Sequence, residues 1–104
     1  MRLRKNNRTD SRSIAIAKTA DALAHPLRVD LFRYILRCNK ERLIVRNKDL
    51  VKVFGYSQAT ISQHLNMLKD GGLLTIKNQA TSSCYYVNIG VLTKIINELS
   101  KMGE

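Results

Sequence analysis

The spacing of apolar residues along the chain predicts a series of amphipathic helices. An alanine-rich stretch that starts at Ser13 predicts the first, with Ser13 as its N-cap. Pro26 interrupts that helix and suits the first turn of a second one, since proline lacks the amide proton that a helix interior requires. The apolar face of the second helix has members at i, i+4, i+8 and i+11, namely Leu27, Leu31, Ile35 and Cys38. This spacing predicts that the second helix packs in the core.

Two further helices, separated by a glycine-containing turn, are predicted in the middle of the chain. Asn47 can cap a short third helix, and Gly55 lies where a helix commonly ends in a left-handed residue. The apolar face of this helix is predicted at Leu50, Val53 and Phe54. Ser57 is a good N-cap for a fourth helix over residues 57–69. Its buried face is predicted at Ile61, Leu65 and Leu68.

The second half of the chain predicts a hairpin followed by a last helix. Residues 73–76 and 84–87 are rich in strand-forming types, and the polar stretch 77–83 between them predicts a long tip. Residues 43–45 suggest a third, very short strand. An apolar stripe over residues 91–102 predicts the final helix. About five helices with a two- or three-stranded sheet, in this order, indicate a mainly α fold of the winged helix-turn-helix type.

Chain length and composition indicate one folded domain with a tail. The 104 residues suffice for one core, which we assign to residues 13–104 as a winged helix-turn-helix domain. Residues 1–12 are basic and nearly devoid of apolar residues, which predicts a flexible arm that either follows DNA or is simply solvated. No apolar stretch is long enough to span a bilayer and no signal peptide is evident, so we expect a cytoplasmic protein without membrane contact.

Charge favours a polyanionic partner but does not identify it. Eighteen Lys and Arg residues against eight Asp and Glu give a formal net charge of +10. A basic surface attracts phosphate backbones through counterion release, but basic proteins are also merely soluble, so charge alone leaves both interpretations open.

The fourth helix carries the feature that favours DNA. The predicted inward residues leave an outward face of Gln58, Ala59, Ser62, Gln63 and Asn66. An ordinary solvated face is rich in Lys and Glu, whereas short polar side chains without charge let a helix approach base edges in the major groove. Glutamine can pair with adenine and an alanine methyl can touch thymine. The predicted set of DNA-contacting residues is completed by Ser57, Thr60, His64, Lys69 and Lys77.

Two segments resemble the ArsR (arsenic repressor-like) family of winged-helix repressors. They are residues 22–28 (Ala-Leu-Ala-His-Pro-Leu-Arg) and residues 57–73, which run from Ser-Gln-Ala-Thr-Ile-Ser-Gln-His to Lys-Asp-Gly-Gly-Leu. The resemblance spans about residues 15–100. It implies a homodimer formed by the first and last helices, which binds double-stranded DNA at an operator with twofold symmetry and usually represses until an inducer acts. It also implies DNA contacts at Gln58, Ala59, Ser62 and Gln63.

The effector cannot be inferred from the family's usual metal ligands. Residues 47–53 lack the Cys-x-Cys run that many members use, and the last helix lacks the histidines that others use, so we expect no metal and no cofactor. Cys38 and Cys84 remain, either as small core side chains or as a thiol switch. Cys38 suits the position of the family's redox cysteine on the second helix, whereas Cys84 precedes the last helix.

The sequence bears on three functional classes. No phosphate-binding loop, paired carboxylates or nucleophile with a nearby base is present, so an enzyme is not expected. A winged-helix module that binds protein or RNA remains an alternative, because fold alone does not determine function. The preferred hypothesis is a sequence-specific DNA-binding transcriptional regulator. Selection of bound sequences from random duplexes tests it, since a sequence-specific regulator should recover a motif.

Overall fold

The computed structural model describes residues 10–104, in which five helices and one antiparallel hairpin follow one another. The elements are α1 (Ser11–Ala22), α2 (Pro26–Lys40), α3 (Asn47–Phe54), α4 (Gln58–Asp70), β1 (Leu74–Gln79), β2 (Ser82–Val87) and α5 (Ile89–Ser100). The predicted mainly α fold with a small sheet is confirmed. Most of the predicted basic arm lies outside the described residues.

Helix α1 begins three residues earlier than predicted. Asp10, and not Ser13, is its N-cap: the carboxylate accepts a hydrogen bond from the amide of Arg12 at 2.8 Å and pairs with the Arg12 guanidinium at 2.8 Å. A carboxylate is stabilised at this end of a helix because the first amides have no partner within the helix. Residues 11 and 12, assigned to the arm from the sequence, therefore lie in the first turn of α1.

Helix α2 supplies the centre of the core, as its pattern predicts. His25 caps it through Nδ1, which accepts from the amide of Leu27 at 3.1 Å, and Pro26 occupies the first turn. Leu31 and Ile35 are completely buried. The residues that join them on the buried face are Leu27, Phe32 and Cys38. Full burial of aliphatic side chains of this size contributes about 1.5–3 kcal/mol each, so this face anchors the fold.

Helix α3 starts and packs differently from the prediction. Arg46 is its N-cap, and the Asp49 carboxylate accepts from the Arg46 amide at 2.9 Å, so Asn47 is not needed as a cap. On the predicted apolar face, Leu50 is buried but Val53 is 54% exposed. Gly55 ends the helix with a φ of 77°, the left-handed conformation that the sequence predicted.

The hairpin is tighter than its polar middle section suggested. The strands pair from Leu74 with Val87 to Gln79 with Ser82, so the connection is only the two-residue turn Ala80–Thr81. The predicted long tip was wrong because a ladder of backbone hydrogen bonds does not require apolar side chains. Polar pairs also stabilise this part, as the Ser83 hydroxyl donates to Asn78 Oδ1 at 2.7 Å across the strands. We call this hairpin, residues 74–87, the wing.

The predicted third strand is reduced to a single bridge. Val45 is buried and its carbonyl accepts from the amide of Tyr85 at 3.1 Å, and Arg46 forms an isolated bridge with Cys84. Leu43 and Ile44 are each 53% exposed and pair with no strand. The connection between α2 and α3 is thus attached to the edge of the wing.

Helix α5 packs along α1 and is only partly covered by the rest of the chain. Ile95 is buried, whereas Ile89, Ile96 and Leu99 are about half exposed. No helix within residues 10–104 has both the length and the apolar content that crossing a membrane would require.

Candidate nucleic-acid interface

Helices α3 and α4, joined by the turn at residues 55–57, hold the candidate recognition surface. Ser57 caps α4 by accepting from the amide of Thr60 at 3.2 Å, as the sequence predicted. Ile61, Leu65 and Leu68 are at most 1% exposed and fix α4 against the core. This packing determines which residues of α4 face outward.

The outward face of α4 is polar and lacks charge over its first two turns. Gln58, Ala59, Gln63 and Asn66 are exposed, which agrees with the helical-wheel prediction for these four residues. The charged residues of α4 are Lys69 and Asp70 at its end, 3.7 Å apart. Short uncharged side chains therefore occupy the part of the helix that is free of the core.

Ser57 and Thr60 are partly committed to the helix start. The Ser57 hydroxyl donates to Thr60 Oγ1 at 3.0 Å, in addition to its capping bond. A hydroxyl oxygen that caps a helix has less capacity left for a base edge. These two residues are thus better suited to positioning α4 and to approaching phosphates than to distinguishing bases.

Ser62 is half-buried rather than outward-facing, and Asn47 of α3 contacts it. The Asn47 side-chain amide donates to the Ser62 hydroxyl at 2.9 Å and to the Tyr85 hydroxyl at 3.4 Å. Burial raises the pKa of Tyr85, the hydrogen bond from Asn47 opposes that shift, and the phenol stays protonated. Asn47 thereby connects α3, α4 and the wing.

The sequence assigned Asn47 only a capping role and Tyr85 only a strand position. Neither assignment predicts their contact with Ser62, since the three residues come from different elements. Asn47 Oδ1 is buried and has no hydrogen-bond partner within residues 10–104, so the orientation of the amide depends on its two donor contacts.

His64 lies beside His25 at the start of α2. The two ring centroids are 4.7 Å apart, and His64 Nδ1 is buried without a partner among the described residues. Burial, followed by the nearby charges of His25 and Arg28, lowers the pKa of His64 from its ordinary 6.5. His64 was predicted among the DNA-contacting residues, but it is half-buried and therefore set back from the exposed face.

Acidification is expected to destabilise the fold through His64. Because its folded-state pKa is lowered, the unfolded chain takes up the proton more readily, and the free energy of unfolding falls as the pH drops from about 7.5 towards 5. Substituting His64→Gln should flatten that part of a plot of stability against pH, measured by denaturant unfolding. His25→Asn preserves a capping group and removes only the second of these causes, so it should flatten the plot less than His64→Gln; a His64 ring titrating at or above 6.5 by NMR would contradict the assignment.

The two predicted lysines lie on different elements, Lys69 on α4 and Lys77 on the wing. Lys69 is exposed near the end of α4. Lys77 lies in strand β1 with Nζ 5.3 Å from the centre of the Tyr86 ring, a cation–π contact that leaves the ammonium exposed. Neither lysine is at the tip of the wing, where the sequence placed Lys77.

A cleft of about 410 Å³ separates the start of α3, the first turns of α4 and the tip of the wing. We call it the helix–wing cleft; its lining residues are Arg46, Asn47, Lys48, Gln58, Ser62, Thr81, Ser82, Ser83 and Tyr85. Two cations and several hydroxyls line it, and no carboxylate does. Neither Arg46 nor Lys48 was predicted from the sequence to contact a ligand, although two cations at the start of the first helix of such a motif are a usable signal for phosphate contact.

Cys38 and Cys84 are both buried and both are free thiols. Cys38 belongs to the core cluster around α2, whereas the Cys84 thiol lies 3.6 Å from Gln79 Oε1 across the wing. Redox-sensing cysteines are usually accessible to solvent, so this burial favours the interpretation as core side chains. The described part of the chain also contains no group of three or more His, Cys, Asp or Glu that can hold a metal ion.

Two helices joined by a glycine turn, with the second exposed and followed by a hairpin, define a winged helix-turn-helix protein. Residues 45–75, which span α3, the turn, α4 and the start of β1, match the family model described as "Bacterial regulatory protein, arsR family". The resemblance to ArsR-family winged helix-turn-helix regulators that the sequence suggested is thereby confirmed. This family model describes regulatory proteins.

Solved structures with the same fold are distant in sequence. The ArsR-like transcriptional regulator from Rhodococcus sp. RHA1 superposes with a TM-score of 0.74 at 21% identity, covering 88% of this chain and 81% of that one. HlyU from Vibrio cholerae N16961 gives 0.69 at 20% identity, covering 92% and 100%.

A third comparison is with the homodimeric winged helix-turn-helix DNA-binding domain Mb0332 from Mycobacterium bovis. It gives a TM-score of 0.68 at 19% identity and covers 88% of this chain and 83% of that one. A comparison with curated protein sequences gives no significant match. At these identities the structural likeness establishes the fold.

Proposed function

We propose that this protein is a sequence-specific DNA-binding transcriptional regulator that contacts the major groove with α4. The observation that carries the proposal is the exposed, uncharged polar face of α4 in a chain of net charge +10. Charge supplies non-specific attraction to the phosphate backbone, and an uncharged face supplies hydrogen bonds that differ between bases. The match of residues 45–75 to a family of bacterial regulatory proteins supports the same conclusion.

The residues of α4 divide into three proposed roles. Gln58 and Gln63 hydrogen-bond base edges, with adenine as the preferred partner, and Ala59 offers a methyl group to thymine. Ser62, which accepts from Asn47, orients the helix and can donate its hydroxyl hydrogen to a base or a phosphate. Lys69 and Lys77 approach phosphates, while Ser57, Thr60 and His64 fix the position of the helix.

The protein is further proposed to act as a homodimer on a palindromic operator, as a repressor. Support comes from the apolar residues that α1 and α5 leave exposed, and Ile96 is 54% exposed although isoleucine is usually buried. The Mycobacterium bovis domain of the same fold is homodimeric. Two identical recognition helices related by twofold symmetry recognise two half-sites about one helical turn apart.

Selection of bound sequences from a pool of random duplexes tests the proposal. A recovered motif with two inverted half-sites is the expected result. Recovery of no motif, with affinity that follows charge alone, would contradict it and favour the alternative of a module that binds protein or RNA. Mass analysis of the protein with and without mild oxidant tests the thiol-switch alternative: an absent Cys38–Cys84 linkage together with unchanged DNA affinity rejects it.

Substitution of Gln63→Ala is expected to relax base preference at one position per half-site, at a cost of about 1–3 kcal/mol for the preferred duplex. This effect is expected because the Gln63 side chain is exposed and makes no hydrogen bond to another side chain or to the backbone within the described residues. Lys69→Ala serves as the contrasting variant, expected to weaken all duplexes alike. Equal losses on preferred and unrelated duplexes for Gln63→Ala would remove it from the base-contacting set.

A further inference from the structure

The helix–wing cleft lies where a DNA strand has to pass. A helix in the major groove and a hairpin beside it on the neighbouring minor groove are separated by one sugar-phosphate backbone. The cleft is bounded by Gln58 and Ser62 of α4 on one side and by the wing tip, residues 81–83, on the other. Any duplex that α4 contacts in this way therefore presents a phosphate to the cleft.

Arg46 is held in an orientation that suits an oxyanion. Its Nε donates to the Ser82 hydroxyl at 3.0 Å, and its backbone is tied to the wing by the bridge to Cys84. A guanidinium has five N–H donors in a rigid plane, so fixing Nε leaves both terminal nitrogens with their donors directed elsewhere. The side chain is half-buried, which limits the rotamer freedom that phosphate binding would remove.

The charges around the cleft favour an anion. Ion pairs within residues 10–104 join Asp10 to Arg12 and Lys69 to Asp70, so neither Arg46 nor Lys48 has its charge compensated in this way. The Asp49 carboxylate, the acidic group nearest in sequence, is occupied by the Arg46 backbone amide at 2.9 Å. The Ser82 hydroxyl, which accepts from Arg46 Nε, adds a donor at the other wall.

From this geometry we propose that the helix–wing cleft binds one backbone phosphate of duplex DNA, with Arg46 as its principal ligand and Lys48 as a second cation. The proposal rests on the proposed function, since it assumes that α4 contacts DNA. Ser82 is a positioning residue that orients the Arg46 guanidinium through Nε. The cleft thereby fixes the angle between α4 and the DNA axis and carries no base preference of its own.

Salt titrations of Arg46→Ala test the charge contribution. We expect equal loss of affinity for preferred and unrelated duplexes. The slope of log K against log salt concentration should become shallower by about 0.9 per cleft, so that raising the salt from 50 to 200 mM weakens binding by a factor roughly threefold smaller than in the unsubstituted protein. Arg46→Lys should keep the slope but lose affinity, because lysine lacks the fork held by Ser82. Arg33→Ala is the control: it removes one exposed charge on α2, away from the cleft lining, and should leave the salt slope of log K unchanged. Thermal unfolding of each variant confirms that it is folded.

Duplexes with a single neutral methylphosphonate linkage identify the phosphate. The unsubstituted protein should lose affinity when the linkage that enters the cleft is neutral, and Arg46→Ala should be insensitive at that one position and unchanged at the others. Ser82→Ala should show reduced sensitivity at the same position.

Two results would overturn the cleft site. One is altered base preference in Arg46→Ala with an unchanged salt slope, which would assign Arg46 to a base edge. The other is that Arg46→Ala shows the same salt slope and the same methylphosphonate profile as the unsubstituted protein. Failure of the proposed function has a different signature: duplex binding without any preferred sequence, in which the Arg46 slope effect is still measured. Absence of all duplex binding rejects both proposals.

Discussion

Replacing Ile96→Asp is expected to yield a folded monomer whose affinity for a two-half-site duplex is lowered by about 100-fold or more. Ile96 is 54% exposed in the single chain, so the charge does not disturb the core, but it would be buried between two copies. Ile89 and Leu99 lie on the same side of α5, at i−7 and i+3, and are 50% and 47% exposed. Loss of the second protomer removes the gain from simultaneous binding, which amounts to about 10²–10⁴-fold.

Sedimentation and duplex titration measure the two effects separately. Asn97→Asp introduces the same charge one residue away on an exposed face of α5 and is the matched control, expected to remain dimeric. A dimer that persists in Ile96→Asp, or an unsubstituted protein that sediments as a monomer on and off DNA, would contradict the α5 interface. Affinity for a single half-site should change little in either variant.

Substituting Gly71→Ala is expected to destabilise the protein by about 3 kcal/mol, the upper end of the usual cost of overpacking. Gly71 follows α4 with an ordinary φ of −77°, so backbone conformation does not require glycine there. A methyl group at this position would overlap the Cβ of Ala22, which is 2% exposed at the end of α1, and would lie 3.4 Å from the Lys18 carbonyl oxygen. The obstacle is a buried methyl and a helix backbone rather than a flexible side chain.

Denaturant unfolding of paired variants tests this explanation. Combining Ala22→Gly with Gly71→Ala makes room for the methyl group at position 71. The double variant should recover part of the lost free energy of unfolding, which gives a favourable interaction energy in the double-mutant cycle. Gly90→Ala, in α5 with no atom near the added Cβ, should be neutral or stabilising by up to about 1 kcal/mol. Equal destabilisation at positions 71 and 90 would reject the close-approach argument.

Close approach at Gly71 matters for function because α1 packs against both α4 and α5. Helix α5 carries the proposed dimer surface and α4 carries the proposed DNA contacts. The position of α1 therefore contributes to the distance between the two recognition helices of a dimer, which has to match the spacing of the half-sites. A change at the contact of Ala22 with Gly71 is expected to affect operator affinity as well as stability.

The recognition helix was predictable because its information is local. Ser57 is a capping residue, and Ile61, Leu65 and Leu68 repeat at helical spacing, so the exposed positions of Gln58, Ala59 and Gln63 follow from helix geometry alone. Ser62 was assigned to the same outward face and is instead half-buried. Its surroundings depend on Asn47 and Tyr85, which lie 15 and 23 residues away in sequence.

Errors at the helix starts have a related cause. Ser13 and Asn47 are both suitable N-caps, but the N-cap of α1 is Asp10 and that of α3 is Arg46. The side chains of Arg12 and Asp49 stabilise these earlier helix starts. Competing caps differ by only about 1 kcal/mol, which is less than one tertiary contact contributes. The polar middle of the wing was assigned to a loop because periodicity reports burial, whereas its strand pairing depends on backbone hydrogen bonds.

The amino-acid sequence by itself determined the order of the helices, the core faces of α2 and α4, the glycine turn at Gly55 and the resemblance to the ArsR family, because each depends on neighbours within a few turns of chain. Tertiary structure decided the rest. It brought Arg46 to Ser82 and Asn47 to Ser62, set His64 beside His25, and left part of α5 uncovered. Contacts between distant segments depend on how the helices pack, and helical spacing predicts which face is buried but not which residue it meets.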